Sequence, residues 1–116
     1  MNEALCTELV RHRAVSYDPS IPIDSSWLPC EQCGRWKTAL ERHHRKFRSR
    51  GGLWTPANVL LLCRDCHAAA TDEAPWVAHT GLNVHTWEDP DQVPVKVWYE
   101  DAAVLLDDLG GYSLAG

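Results

Sequence analysis

Residues 41–67 are ERHHRKFRSRGGLWTPANVLLLCRDCH, and this stretch decides the fold that the rest of the chain has to support. It contains two adjacent histidines, a basic segment ending in two glycines, an asparagine before an apolar run, and a terminal Cys-x2-Cys-His. Histidine and cysteine bind metal ions, and arginine and lysine bind phosphate. The stretch therefore predicts a metal site next to a surface for a polyanion.

The five cysteines favour a metal site over disulfides. Four of them form the pairs Cys30/Cys33 and Cys63/Cys66, each with two residues between, while Cys6 stands apart. An odd number argues against a disulfide framework, and two such pairs supply the four thiolates of a closed structural zinc site. The 29 residues between the pairs exceed the spacing of an ordinary zinc ribbon, so a functional insert is expected there.

Charge is distributed unevenly along the chain, although the net charge is −5. Residues 1–29 carry a balance of −2, residues 30–67 a balance of +5, and residues 68–116 a balance of −8. A local positive field can guide a polyanion to a site even when the whole chain is acidic. The middle segment therefore predicts a partner rich in phosphate; the alternative is a solvated basic face that binds nothing.

At 116 residues the chain is about the size of one small domain, whose core is modest without the help of a metal. Its first residues, MNEALCTELVRHR, include acidic groups where a signal peptide would be positive. No apolar run approaches the roughly 18 to 20 residues that span a membrane. We expect a soluble cytoplasmic protein without a membrane partner.

Hydrophobic periodicity and turn residues predict an α+β fold for the central segment. Residues 36–44 and residues 59–62 are predicted strands, separated by an irregular loop that contains two glycines and a proline. Residues 64–71 are predicted to be helical. Zinc held by the two cysteine pairs would tie the foot of the first strand to the start of this helix, and so bring the adjacent histidines close to His67.

The flanking segments are predicted to pack on this zinc unit, so that the chain is one domain overall. Residues 1–29 should form a helix capped by Asn2 and then an extended connector interrupted by prolines. Residues 74–116 should form an acidic extension rich in antiparallel β-structure. Its strands are predicted at residues 82–87, 95–99 and 103–106, of which the last two pair as a hairpin.

The central segment resembles the HNH endonuclease motif of the ββα-metal nucleases. The family pattern of Asp or His followed by His, then Asn, then His is matched by His43, His44, Asn58 and His67. Many members also carry the flanking Cys-x2-Cys pairs and the Arg-Gly-Gly loop. The resemblance covers about residues 28–73 and implies a metal-dependent endonuclease or nickase that hydrolyses phosphodiester bonds of DNA. At the first position this chain has histidine in place of the commoner aspartate.

The resemblance also implies roles for the motif residues. His44 is the expected general base, since an imidazole can take a proton from water near neutral pH. His43 and His67 would hold one catalytic divalent ion, with Mg, Mn, Ni and Zn left open, and Asn58 would fix the loop through backbone hydrogen bonds. Neighbouring residues of a regular strand face opposite sides, so the joint use of the adjacent histidines requires a twisted or bulged strand end.

Basic residues beside the histidines are the expected DNA contacts. Phosphate contacts position a strand without specifying its sequence, and no element dedicated to reading bases is evident. We therefore expect weak sequence preference. The candidates are Arg42, Arg45, Lys46, Arg48 and Arg50, with Trp54 as a candidate platform for stacking a base.

The C-terminal sequence GLNVHTWEDPDQVPVKVW bears a weaker resemblance to the ends of small HNH proteins encoded by bacteriophages of actinobacteria. This resemblance implies a phage-encoded protein that acts in the host cytoplasm with subunits of the packaging terminase. The alternative to an enzyme is a zinc-stabilised module that binds nucleic acid or protein and has lost catalysis. The intact set of motif histidines favours the enzyme.

Overall fold

The computed structural model describes residues 1–115, which begin with the predicted helix. Helix α1, Glu3–Ala14, follows Asn2, whose Oδ1 accepts a hydrogen bond of 2.8 Å from the backbone N of Leu5. This bond satisfies one of the amides that a helix start leaves free. The N-terminal helix and its cap are therefore confirmed.

A bend divides the segment that the sequence predicts as one strand over residues 36–44. Its first part is strand β2, Trp36–Lys37, which pairs antiparallel with β1, Leu28–Pro29. Its second part is β3, Glu41–His44, which belongs to a separate two-stranded sheet. The prediction of one continuous strand is wrong, because the turn holding the first cysteine pair closes its own small hairpin between β1 and β2.

The central unit has the predicted order of strand, loop, strand and helix. Strand β4, Val59–Leu62, pairs antiparallel with β3, and helix α2, Arg64–Thr71, follows it. Both elements have the predicted bounds. Neither helix in the described part of the chain combines the length and apolar character that crossing a membrane requires.

Strand β4 is an unbroken apolar run because both of its faces are buried. Val59 and Leu61 pack into a cluster with the buried side of α1. Leu60 and Leu62 pack into a second cluster, which includes three of the paired cysteines and apolar side chains from the segment after α2. The alternation of a strand thus distributes these four side chains between two cores.

An antiparallel hairpin of β5, Val104–Leu106, and β6, Tyr112–Leu114, closes the described chain. It confirms an antiparallel C-terminal extension, although β6 is not among the predicted strands. The predicted pairing of residues 95–99 with β5 reduces to one isolated bridge between Val95 and Val104. The small α+β fold, with a helix before the core and antiparallel strands after it, is confirmed.

Residues 82–87 are not a strand either, because the backbone of this segment bonds to other parts of the fold. The N of Val84 donates to the O of Arg45 at 2.9 Å, and the N of Trp98, in the second predicted strand, donates to the O of Glu31 at 3.0 Å. Alternate side chains of both segments are buried in the core. The alternation that predicts strands here arises from this burial and not from a sheet.

A buried ion pair joins α1 to the first cysteine pair. The Nε of Arg13 lies 2.9 Å from the Oε2 of Glu31, and neither side chain is exposed. Arg13 also donates to the O of Val59 at 2.6 Å, while Glu31 accepts from the N of Leu61 and from the hydroxyl of Tyr99, both at 2.9 Å. Each charge therefore has several partners, as burial requires.

We predict that Arg13→Met lowers the free energy of unfolding by about 3–5 kcal/mol, because the carboxylate of Glu31 would stay buried without its counter-charge. Urea unfolding of the zinc-loaded protein, followed by tryptophan fluorescence, measures the change. The control is Arg35→Met, which removes an exposed ion pair of 3.6 Å with Asp65 and should cost less than about 1 kcal/mol. Equal losses in the two variants would contradict a structural role for the buried pair.

Candidate functional site

Two turns bring four cysteine sulfurs together. The ligand atoms of Cys30, Cys33, Cys63 and Cys66 all lie within 4.8 Å of one another. Gly34, at a φ of +77°, closes the first turn by donating from its N to the O of Cys30 at 2.9 Å. The second pair spans the start of α2. Within residues 1–115 no other group of three or more His, Cys, Asp or Glu side chains is placed to hold a metal ion.

The chemistry of these four sulfurs suits a metal ion. Burial raises the pKa of Cys30 to about 11, and burial together with the neighbouring sulfurs raises the pKa of Cys66. A bound cation reverses this effect, because it stabilises the thiolate form of each ligand. The predicted grouping of the four cysteines is therefore confirmed: they are positioned to bind a metal ion, and a set of four thiolates is typical of structural zinc.

The three motif histidines line one cavity of about 180 Å³. The rings of His43 and His67 have their centroids 5.3 Å apart. His43 and His44 both reach the cavity although they are adjacent, since they occupy the last two positions of the β3–β4 ladder, where the strand ends. The remaining lining residues are Arg42, Phe47, Arg48 and Thr71.

Hydrogen bonds determine the tautomer of His43. Its Nε2 lies 2.8 Å from the O of Leu82 and 3.0 Å from the Oδ1 of Asn83. Both oxygens accept, so Nε2 carries the proton and Nδ1 keeps its lone pair. Burial lowers the pKa of His43 to about 4, which makes the ring neutral at physiological pH. A neutral imidazole held in this way is the usual form of a metal ligand.

His67 is oriented in a similar manner by a carboxylate. Its Nδ1 lies 2.6 Å from the Oε1 of Glu41, the first residue of β3, so Nδ1–H donates and Nε2 is left free. A carboxylate is a common partner for the second nitrogen of a metal-bound imidazole. Glu41 is a site residue that the motif did not predict, although its position two residues before His43 places both side chains on one face of β3.

His44 packs against Trp54, with ring centroids 4.3 Å apart and an interplanar angle of 81°. The residue is only 8% exposed, and its Nε2 is buried without a hydrogen-bond partner. Burial, and then the positive charges of Arg48 and Arg42, lower the pKa of His44. The same two guanidinium groups lie 5.5 and 4.7 Å from the ring centroid of Trp54, which therefore links the histidine to the basic side chains.

Asn58 joins the two ends of the loop between β3 and β4. Its Oδ1 accepts from the N of Lys46 at 2.7 Å, and its Nδ2 donates to the O of Lys46 and the O of Leu53 at 3.2 and 3.1 Å. The loop is tight here, since a Cβ on Gly52 would lie 1.7 Å from the O of Lys46. The expected backbone hydrogen bonds of Asn58 are confirmed, while its importance for catalysis stays a prediction.

Arg45 is not a DNA contact, and that prediction is wrong. Its side chain is fully buried, and burial lowers its pKa to about 9, which still leaves it charged at neutral pH. The guanidinium group is occupied by four backbone carbonyls at 2.7 to 2.9 Å, which fix the segment after α2 against the loop. These carbonyls belong to Ala57, Gly81, Pro90 and Val93.

The other basic candidates remain accessible to solvent to different degrees. Arg48 is exposed and lines the cavity. Arg42 also lines it but lies 3.2 Å from an acidic side chain of α1, and Arg50 lies 3.7 Å from an acidic side chain just after α2. Lys46 is half-buried. Partly exposed ion pairs of this kind are weak, so they can be exchanged for phosphate.

We predict that Cys66→Ser abolishes binding of the structural metal and unfolds the chain, because ligand binding and folding are coupled in small zinc domains. Elemental analysis of the purified protein and circular dichroism on heating measure the two effects. Cys6→Ala is the control: Cys6 lies on the buried side of α1, away from the two cysteine pairs, and its variant should keep the full metal content. Normal folding of metal-free Cys66→Ser would refute the structural assignment.

Comparison with known protein families adds to this geometry. The family model described as HNH endonuclease matches residues 30–73, which contain both cysteine pairs, the three histidines of the cavity and Asn58. No curated protein and no solved structure matches the chain. Residues 30–73 therefore form an HNH endonuclease domain, which implies a nuclease-type function and a nucleic acid substrate.

Proposed function

We propose that the chain is a metal-dependent endonuclease or nickase that hydrolyses phosphodiester bonds of DNA at the cavity lined by His43, His44 and His67. The observation that carries this proposal is the cavity itself. Three imidazoles and two arginines line it, within the segment that matches the HNH family. The thiolate cluster lies outside this cavity and serves as a scaffold.

The residues present fit one catalytic divalent ion. His43 has Nδ1 free and His67 has Nε2 free, because their other ring nitrogens donate to oxygen acceptors. A divalent ion bound there would act as a Lewis acid toward the scissile phosphate and the leaving oxygen. Imidazole ligands suit Ni and Zn better than Mg. Only a few carboxylates occur in the matched segment, which favours one ion over two.

His44 is proposed as the general base that takes the proton from the attacking water. Its Nε2 is buried against the protein, so Nδ1 is the atom through which the ring would accept this proton. Trp54 packs on the ring and limits its rotation. Asn58 holds the loop that follows His44, and so keeps the end of β3 in place.

The DNA strand would be held through its phosphates. Arg48 is the best placed candidate because it is exposed and borders the cavity, and Arg42, Lys46 and Arg50 would extend the contact. Phosphate contacts carry no sequence information. We therefore propose weak sequence preference, with nicking of one strand as the product that a single site of this size would give.

The proposal predicts that zinc-loaded protein converts supercoiled plasmid to nicked or linear DNA in the presence of Mg²⁺, Mn²⁺ or Ni²⁺. His44→Ala should lower the rate by about 10²–10⁴-fold, since it removes the base, and the variant should still fold and keep its full zinc content. EDTA should stop the reaction. The matched control is His12→Ala, which removes an exposed histidine of α1 and should cleave at the wild-type rate.

A catalytically inactive binding module is the second candidate. The low exposure of His44, 8%, favours it, because a general base must reach water. Folded, zinc-loaded protein that binds plasmid but leaves it uncut with every divalent ion would support this candidate and exclude the enzyme.

DNA binding itself can be tested with two arginines that lie three positions apart. We predict that Arg48→Ala weakens binding to a DNA duplex and reduces the slope of log K against log salt concentration by about one, because one phosphate contact is lost. Fluorescence anisotropy measures the slope, and Arg48→Ala should unfold at the wild-type urea concentration. Arg45→Ala should instead destabilise the fold, since it removes the hydrogen bonds from the guanidinium group to four backbone carbonyls.

An unchanged salt slope in Arg48→Ala would contradict its place at the DNA surface.

The suggested partnership with a phage packaging terminase is supported only by the weaker resemblance of the C-terminal sequence. Co-purification of the intact chain with terminase subunits from infected cells would test it, and their absence from the eluate would count against it.

A further inference from the structure

Asn83 lies outside the segment that matches the HNH family, yet its side chain contacts the site. Its Oδ1 lies 3.0 Å from the Nε2 of His43, and its Nδ2 donates to the O of Ala70 at 2.9 Å. Ala70 belongs to α2, three residues after His67. One amide thus connects the strand that carries one proposed ion ligand to the helix that carries the other.

The two contacts of Asn83 fix the direction of its amide. A backbone carbonyl can only accept, so the O of Ala70 requires the NH₂ group to face it. The Oδ1 must then face His43, which has to donate from Nε2. The O of Leu82, at 2.8 Å, is a second acceptor, so it too requires that nitrogen to carry the proton. Both acceptors therefore leave Nδ1 as the ring nitrogen that can bind a cation.

The backbone around Asn83 is held independently of these contacts. Leu82 and Val84 are buried on either side of it. The N of Val84 donates to the O of Arg45 at 2.9 Å, and the guanidinium group of Arg45 donates to the O of Gly81 at 2.8 Å. The amide is therefore in place before any ligand binds, which is what a positioning residue requires.

We propose that Asn83 is a positioning residue for His43, and that the segment after the HNH match is required to complete the ion site. The inference rests on the proposed function, since it assigns His43 as a ligand of the catalytic ion. It gives the acidic extension a role in the site in addition to its role in the core. Asn83 itself touches neither the ion nor the DNA in this assignment.

Two variants separate positioning from simple folding. Asn83→Leu and Asn83→Asp both lose the bond to the O of Ala70, so both should lower the melting temperature. Only Asn83→Asp keeps an oxygen that accepts from His43. The first readout is the tautomer of His43 in zinc-loaded protein without a second ion, from ¹⁵N NMR shifts of its ring assigned by comparison with His43→Ala. The second is Mn²⁺ affinity, from titration calorimetry.

Wild type and Asn83→Asp should show the Nε2-protonated form alone. In Asn83→Leu the O of Leu82 is the one remaining acceptor at Nε2, so a detectable fraction of the Nδ1-protonated form should appear beside the Nε2-protonated form. Asn83→Leu should also bind Mn²⁺ about tenfold more weakly, the scale of losing an outer partner of a metal ligand, while Asn83→Asp stays close to wild type. Equal weakening by both variants, or no weakening by Asn83→Leu, would overturn the positioning role.

Failure of the proposed function would look different. If wild-type protein bound no Mn²⁺, the assignment of His43 and His67 as ligands of a catalytic ion would be wrong. The tautomer measurement would still decide the role of Asn83, because it needs no second ion. An Nδ1-protonated ring of His43 in the wild type would overturn the inference by itself.

Discussion

The carboxylate of Glu31 is the point at which the separate parts of this small fold meet. It lies between the two cysteines of the first pair and accepts from Arg13 of α1, from the backbone of Leu61 in β4 and from the hydroxyl of Tyr99 in the C-terminal segment. Removing a carboxylate from water costs several kcal/mol, so the burial is tolerated only while these donors stay together. The turn that supplies two metal ligands is thus held from its inner side by an ion pair.

Different short elements position the residues of the site and orient their rings. The thiolate cluster sets the start of α2 relative to the turn between β1 and β2, and the pairing of β3 with β4 sets the position of the adjacent histidines. Their fine orientation comes from elsewhere: Glu41 bonds His67, and the segment after α2 bonds His43. A ring that already has one nitrogen engaged loses less freedom when the other binds a cation, which favours a prearranged site.

Local sequence predicts the elements well where one local cause dominates. Asn2 caps α1, and the Val-Leu-Leu-Leu run ends where Cys63 begins the helix, so the bounds of β4 and α2 could be predicted. Prediction fails where the cause is distant. Residues 82–87 and 95–99 alternate as strands do, but their backbone groups bond to the core and not to each other. Periodicity indicates which side chains are buried, but it does not indicate which groups the backbone hydrogen-bonds.

The sequence by itself determined the four cysteines that are positioned to bind a metal, the histidine set and the order of strand, loop, strand and helix. These follow from residue types at short spacings, which covalent geometry and metal coordination restrict. Only the tertiary structure decided that Arg45 is buried while Arg48 is exposed, and that Asn83 bonds His43. The two arginines are chemically alike and three positions apart, and Asn83 lies 40 residues after His43. Their roles depend on how distant segments pack, and no local pattern encodes that packing.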